Sequence, residues 1–230
     1  MTTVTLEPDT RVAIVDDVDL DAELTERAVR DAGLQPVVAH LERDLAEMVE
    51  ALLGTADVAV CDHRLNRKVS YPGASLVESL MRVGMPAVLL TTFAVLDDDV
   101  DILGHRRYIP DILVRGRDSS SDHLIRSLTT AAEELNGHYS RERQPHRTVV
   151  RVESCDSSPT GTCSLTVPAW PIGEPVYVPR AALESVARDV KAGDRFLAEV
   201  NLFCTDPLDV YAANFEVLPP ATLEAVLGLS

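Results

Sequence analysis

The sequence predicts an α/β domain followed by a small, mostly β domain, and three observations carry the prediction. Residues 11 to 137 alternate short apolar runs with longer segments of helical period, five times in succession. The short runs are dense in branched aliphatics, as in parallel strands covered by helices on both faces. From Gly137 onward the helical period gives way to apolar or alternating runs with no long helix among them.

The strands of the first domain are read at "RVAIV" (11–15), "QPVVAH" (35–40), "DVAVC" (57–61), "PAVLLT" (86–91) and "DILV" (111–114). Between the first two, Leu20, Leu24, Ala28 and Ala32 recur at helical spacing up to Gly33. Leu45, Met48, Val49 and Leu52 give a second helix ending at Gly54, and Leu76, Val77 and Leu80 a third, closed by Gly84 and Pro86. The fourth crossover, "FAVLDDDVDILGHRRYIP", is irregular and accommodates only a short helix. The serine run 119–121 is placed to cap a last helix carrying Leu124, Ile125, Leu128, Ala131, Ala132 and Leu135, with Gly137 just past its end.

These signals divide the chain into a first domain over 1–137, a linker over 138–146 and a small β domain over 147–230. The linker reading rests on the polar, proline-bearing "NGHYSRERQPH". Five strands are read after it: "TVVRVESC", "CSLTVPAW", "PVYVP", "RFLAEVNLF" and "DVYAANFEVL", with "RAALESVARDV" giving a short helix. The net charge of -16 over 230 residues argues against a surface built throughout to hold nucleic acid. Residues 1–139 hold 13 basic and 25 acidic residues and residues 140–230 hold 8 and 12, so -12 of the charge lies in the first part and -4 in the second. No apolar run is long enough to cross a bilayer, and "MTTVTLEPDT" lacks the basic start and apolar core of a signal peptide, so a cytoplasmic protein is expected. In that compartment Cys61, Cys155, Cys163 and Cys204 are expected as buried thiols, although Cys155 and Cys163 could pair or share a metal with Cys204.

Ligands of open α/β sheets sit outside the carboxyl ends of the strands, so the residues there are the candidates. Asp16 and Asp17 follow the first strand, Asp62 the third, Thr91 and Thr92 the fourth, and Arg115 the fifth. Singly, each has an ordinary structural role: an aspartate caps a helix, a threonine suits a strand end, an arginine suits an exposed edge. Together, three carboxylates on one edge repel one another unless a hard cation lies between them, and Mg2+ is the natural choice. A carboxylate left free by the metal can attack phosphorus, with the hydroxyl and the guanidinium meeting the phosphoryl oxygens.

In this order and spacing the motifs "VAIVDD", "VAVCDHRL" with Gly73 in the following loop, "PAVLLTT" and "DILVRGRD" resemble the receiver domain of bacterial response regulators, over about residues 10 to 137. The resemblance implies a flavodoxin-like (βα)5 fold with sheet order 2-1-3-4-5. It implies a signalling protein rather than an enzyme, phosphorylated on Asp62 by a sensor histidine kinase or a phosphotransfer protein. Asp16, Asp17, Asp62 and the backbone carbonyl of Arg64 would hold Mg2+, and Thr91 and Arg115 would meet the phosphoryl group. Arg115 and Gly116 stand where the family has lysine and proline, and Ile112 where it has an aromatic. A guanidinium fork does not replace a compact ammonium, so a pseudo-receiver adaptor that is never phosphorylated is the alternative.

"VYVPRAALESV", "VKAGDRFLAEVNLF" and "VYAANFEVLP" look like the later part of an OB-fold of cold-shock or S1 type, spanning about 147–219. That resemblance implies single-stranded nucleic acid as a ligand class, with Trp170, Tyr177, Phe196, Tyr211 and Phe215 for stacking. The phosphates would fall to Arg147, Arg151, Arg180, Arg188, Lys191 and Arg195. The domain is net acidic and lacks the aromatic, glycine-rich cold-shock motif. A downstream protein partner or a homodimer is therefore favoured over nucleic acid.

Overall fold

The computed structural model describes residues 6–65, 68–92, 100–118, 120–158, 160–207 and 209–218. Asn66 and Arg67 of the expected phosphate-side loop, residues 93–99 of the fourth crossover and Ser119 lie outside the described residues. The chain forms two compact units, one of Met1–Leu96 and Tyr108–Tyr139, the other of Asp97–Arg107 and Ser140–Ser230.

The first unit is a five-stranded parallel sheet of β1 (Arg11–Val15), β2 (Gln35–Val38), β3 (Val58–Asp62), β4 (Ala87–Thr91) and β5 (Ile112–Val114), in the order β2-β1-β3-β4-β5. This is the doubly wound flavodoxin-like order, so the predicted fold class holds. β1, β3 and β4 are buried almost throughout because helices cover both faces, whereas β2 is an edge strand and only half-buried. The helices are α1 (Asp19–Asp31), α2 (Leu45–Thr55), α3 (Gly73–Arg82) and, after β5, α5 (Ser121–Leu135). α2 is capped by Asp44, whose carboxylate accepts from the amides of Ala46 and Glu47. α5 is capped by Ser120, as the serine run predicted.

Two details differ from the sequence reading. α2 runs through Gly54 to Thr55. In α1 the face toward the sheet is Ala22, Thr25 and Val29, while Leu20 and Leu24 are 65% and 52% exposed. Two helical stripes overlap in this sequence, and the one with the smaller side chains lies against the strands.

The second unit is a five-stranded antiparallel sheet of β6 (His146–Cys155), β7 (Thr162–Thr166), β8 (Val176–Pro179), β9 (Arg195–Val200) and β10 (Ala212–Val217). Its order is β10-β9-β6-β7-β8, with β6 between β7 and β9, the connectivity of an OB-like half-barrel. The helix α6 (Arg180–Glu184) follows β8. Val150, Val152, Leu165, Trp170, Val178 and Leu183 are among the side chains of its core. The Trp170 indole donates to the carbonyl of Cys204 at 2.9 Å.

The short helix α4 (Val100–His105), which belongs by sequence to the crossover between β4 and β5, is part of this second unit. It packs on β8, where a Cβ at Gly104 would meet Pro179 Cγ at 3.2 Å. A 3-10 turn, Arg106–Tyr108, follows it. The buried Arg106 pairs with Asp209, and Arg107 Nε donates to Glu199 Oε2 at 3.1 Å. Residues 140–145, read as linker, also build this unit. Arg143 is buried and donates to the carbonyls of Arg106 and Arg107 at 3.3 and 3.2 Å, while its own carbonyl accepts from the Tyr211 hydroxyl at 2.8 Å.

The cysteine expectation is corrected. Cys61 and Cys204 are buried thiols, but Cys155 and Cys163 form a disulfide. The two stand directly opposite each other on β6 and β7, so pairing of the strands brings the sulfurs together.

Candidate functional site

The carboxyl ends of β1 and β3 set Asp16, Asp17 and Asp62 in one place. Ligand atoms of the three carboxylates lie within 4.8 Å of one another, a spacing that suits a metal ion. Strand pairing explains the convergence: Val15 lies opposite Cys61, so the residues that follow each strand emerge side by side. Asp62 is the last residue of β3, and Asp16 and Asp17 are the first two beyond β1.

Local turns then fix two of the three carboxylates. Asp16 Oδ1 accepts from the amide of Val18 at 2.9 Å, and Asp62 Oδ2 accepts from the amide of Arg64 at 2.8 Å. Both are aspartate turns that need a short carboxylate two residues before the donor. Arg64 is thereby held next to Asp62. The loop after it returns so closely that the amide of Gly73 donates to the His63 carbonyl at 2.9 Å. A Cβ on Gly73 would stand 1.9 Å from the carbonyl oxygen of Asp62, so only glycine fits there. Gly73, named in the motif after the third strand, thus has a steric reason.

Arg115 follows β5 and reaches across to the cluster. Its Nη2 donates to Asp62 Oδ1 at 2.9 Å and also to Asp16 Oδ2, with which it forms an ion pair. Its Nη1 lies 3.4 Å from both the Asp21 carbonyl and Thr25 Oγ1 of α1. Thr25 is a neighbour of the site that sequence reasoning missed; a threonine among the residues α1 turns to the sheet was the available signal. The Asp16 carboxyl is raised above the ordinary aspartate value, chiefly by burial, against the pull of the Val18 amide and of Arg115; the charge of Asp62 adds to the rise. Burial alone would lower Arg115, but its hydrogen bond to Asp62 and the charges of Asp16, Asp62 and Asp21 outweigh that and leave it raised.

Thr91 ends β4 and is buried, with its carbonyl accepting from the Arg115 amide at 2.8 Å; Thr92 beyond it is exposed. Since Asp62 lies opposite Leu90, Thr91 sits one residue beyond Asp62 along the same edge. Ile112 is half-buried on β5, opposite Leu89. Three carboxylates against one guanidinium leave the cluster two formal negative charges, and all its ligands are hard oxygens, which suits a divalent cation such as Mg2+.

In the second unit Arg188 and Lys191 are exposed and Arg195 is half-buried. Trp170, Phe196, Tyr211 and Phe215 are all buried, leaving Tyr177 exposed among the five. Arg147, Arg151 and Arg180 are each paired with a glutamate, respectively Glu216, Glu153 and Glu184. No described helix is long and apolar enough to cross a membrane.

No family model and no curated protein matches the chain. Solved structures similar to residues of its first part include the receiver domain of a Francisella response regulator, at 21% identity and TM-score 0.41, covering 55% of this chain and 98% of that one. A response regulator receiver domain protein from Clostridium thermocellum is 14% identical with TM-score 0.44, covering 55% and 97%. A CheY-like receiver domain protein from Methanospirillum hungatei JF-1 is 18% identical with TM-score 0.42, covering 56% and 98%.

Proposed function

We propose that the chain is a phosphoacceptor of a two-component signalling relay, which takes a phosphoryl group on Asp62 and passes the signal to a protein partner through its second unit. The observation that carries this reading is the cluster itself: three carboxylates within 4.8 Å, at the carboxyl edge of a 2-1-3-4-5 sheet, with a guanidinium on two of them. Asp16, Asp17 and Asp62, with the backbone carbonyl of Arg64, would hold Mg2+. That ion would neutralise the cluster and the phosphoryl oxygens.

In the transfer, a carboxylate oxygen of Asp62 attacks the phosphorus of a phosphohistidine on a histidine kinase or phosphotransfer protein. A P–O bond forms as the P–N bond breaks, and the electron pair returns to the imidazole nitrogen, which takes up a proton. Arg115 and Thr91 meet the phosphoryl oxygens. The Val18 and Arg64 amides hold Asp16 and Asp62 in place before the donor arrives. For the second unit, the burial of four of the five aromatics and the pairing of Arg147, Arg151 and Arg180 with glutamates favour a protein partner over single-stranded nucleic acid.

The test is the intact mass of the protein after incubation with Mg2+ and acetyl phosphate. Wild type gains the mass of one phosphoryl group and Asp62→Asn gains none. Equal labelling of the two, or no labelling of wild type by either acetyl phosphate or a phosphorylated kinase, overturns the proposal.

A further inference from the structure

All four oxygens of Asp16 and Asp62 already accept a hydrogen bond. Asp16 Oδ1 and Asp62 Oδ2 take backbone amides, and Asp16 Oδ2 and Asp62 Oδ1 take the same nitrogen, Arg115 Nη2. A divalent ion bound to those two carboxylates would lie against the guanidinium, where two positive charges repel. The remaining ties of Arg115 are weak: Nη1 stands at 3.4 Å from its two acceptors on α1, and Nε has no hydrogen-bond partner. So the group is held in place mainly by the oxygens that a metal would claim.

Beside it, between α1 and α5, is a cavity of about 370 Å³ lined by Arg115 itself and by Gly116, the residue after it. Its floor is apolar, from Val60, Leu90 and Leu113 of the sheet. Thr25, which Nη1 already approaches, is on its wall, together with Asp31 and Asp118. Asp118 is already paired with Arg117, and Arg27 is a like charge among the lining residues, so the acceptors on offer are Thr25 and Asp31. The space therefore offers a displaced guanidinium both room and partners.

We propose that Arg115 is a resident cation that gates the acid cluster: it bridges Asp16 and Asp62 while the metal is absent and swings into the α1–α5 cavity when a divalent cation takes its place. This rests on the reading of the cluster as a Mg2+ site. Lysine would not do the same, because a single ammonium cannot hold the two carboxylates and reach α1 at once. Arg115 is thus a positioning residue for metal entry, separate from any later contact with phosphoryl oxygens.

The experiment is Mg2+ binding by isothermal titration calorimetry on the full chain, in wild type, Arg115→Gln, Ala28→Leu and the double variant. Ala28 lines the cavity, and a leucine there fills part of it. Removing the competing charge tightens Mg2+ about tenfold or more in Arg115→Gln. Filling the cavity weakens Mg2+ several-fold in wild type and changes it less than twofold once Arg115 is gone. Leu24→Trp, on the exposed side of the same wall, repeats the test where Ala28→Leu melts early.

If Arg115→Gln binds Mg2+ no more tightly than wild type, or if the cavity fillers act equally in both backgrounds, the gate is overturned while the Mg2+ site stands. If neither wild type nor Arg115→Gln binds Mg2+, the gate falls together with the reading on which it rests.

Discussion

Gly73→Ala tests how tightly the loop after β3 is closed under Asp62. The added Cβ would meet the Asp62 carbonyl oxygen at 1.9 Å, its carbon at 2.7 Å and His63 Cα at 3.0 Å. All three are backbone atoms, so no side chain can turn aside. Ordinary contact begins at 3.4 Å, which means the start of α3 or the end of β3 must retreat by about 1.5 Å. That retreat would also stretch the 2.9 Å bond from the Gly73 amide to the His63 carbonyl. Overpacking costs about 1–3 kcal/mol, and a rigid backbone clash with a lost buried hydrogen bond belongs at or above its upper end, so about 3 kcal/mol is expected. Urea unfolding followed by far-UV circular dichroism would show this as a lower midpoint with an unchanged slope. A loss under about 0.5 kcal/mol would refute the reasoning, since it would mean that the loop gives way at no cost.

Asp16→Asn should melt a few degrees above wild type near neutral pH without metal, because burial has raised the Asp16 carboxyl and its ionised form is disfavoured in the fold. The advantage shrinks as pH falls through the raised value toward the ordinary 3.8, where wild type becomes protonated too; melting curves across that range check the sign. The Cys155–Cys163 disulfide closes a loop of separation 8, so Cys155→Ser with Cys163→Ser costs about 2–3 kcal/mol by chain entropy, measured by urea unfolding with the reduced wild type as control. Arg106→Ala removes a buried guanidinium from the half-exposed Asp209 and costs about 1–2 kcal/mol. The fluorescence of Trp170, the single tryptophan and a core residue of the same unit, reports that loss.

The strands were legible because their apolar patterning follows from burial: each of the ten overlaps the run that predicts it, with ends differing by at most three residues except at β7, which stops four residues short of its run. The acid cluster was legible because its members follow strands, and strand ends are where a parallel sheet places its ligands. Three features were not. The face of α1 depends on how closely a helix can approach the strands, which favoured Ala22, Thr25 and Val29 over the larger leucines. The disulfide depends on the register of β6 against β7, which spacing in sequence does not fix. The stretch 140–145 reads as linker because it is polar, yet Arg143 is buried through carbonyl acceptors that belong to the backbone and leave no trace in composition.

The division of the chain bears on how a signal could leave the site. Thr91 ends β4, and the next described element in sequence, α4, is built into the second unit through Ile102, Gly104 and Arg106. The chain therefore passes between the units three times, between Thr91 and Val100, after Arg107 and after Tyr139, instead of once. Under the proposed function, a change at Thr91 is carried by covalent connection into the segment that packs on β8. Arg106 with Asp209 and Arg107 with Glu199, directly after α4, hold that segment in the second unit, so exchanging either pair is the direct way to test whether the segment carries the signal.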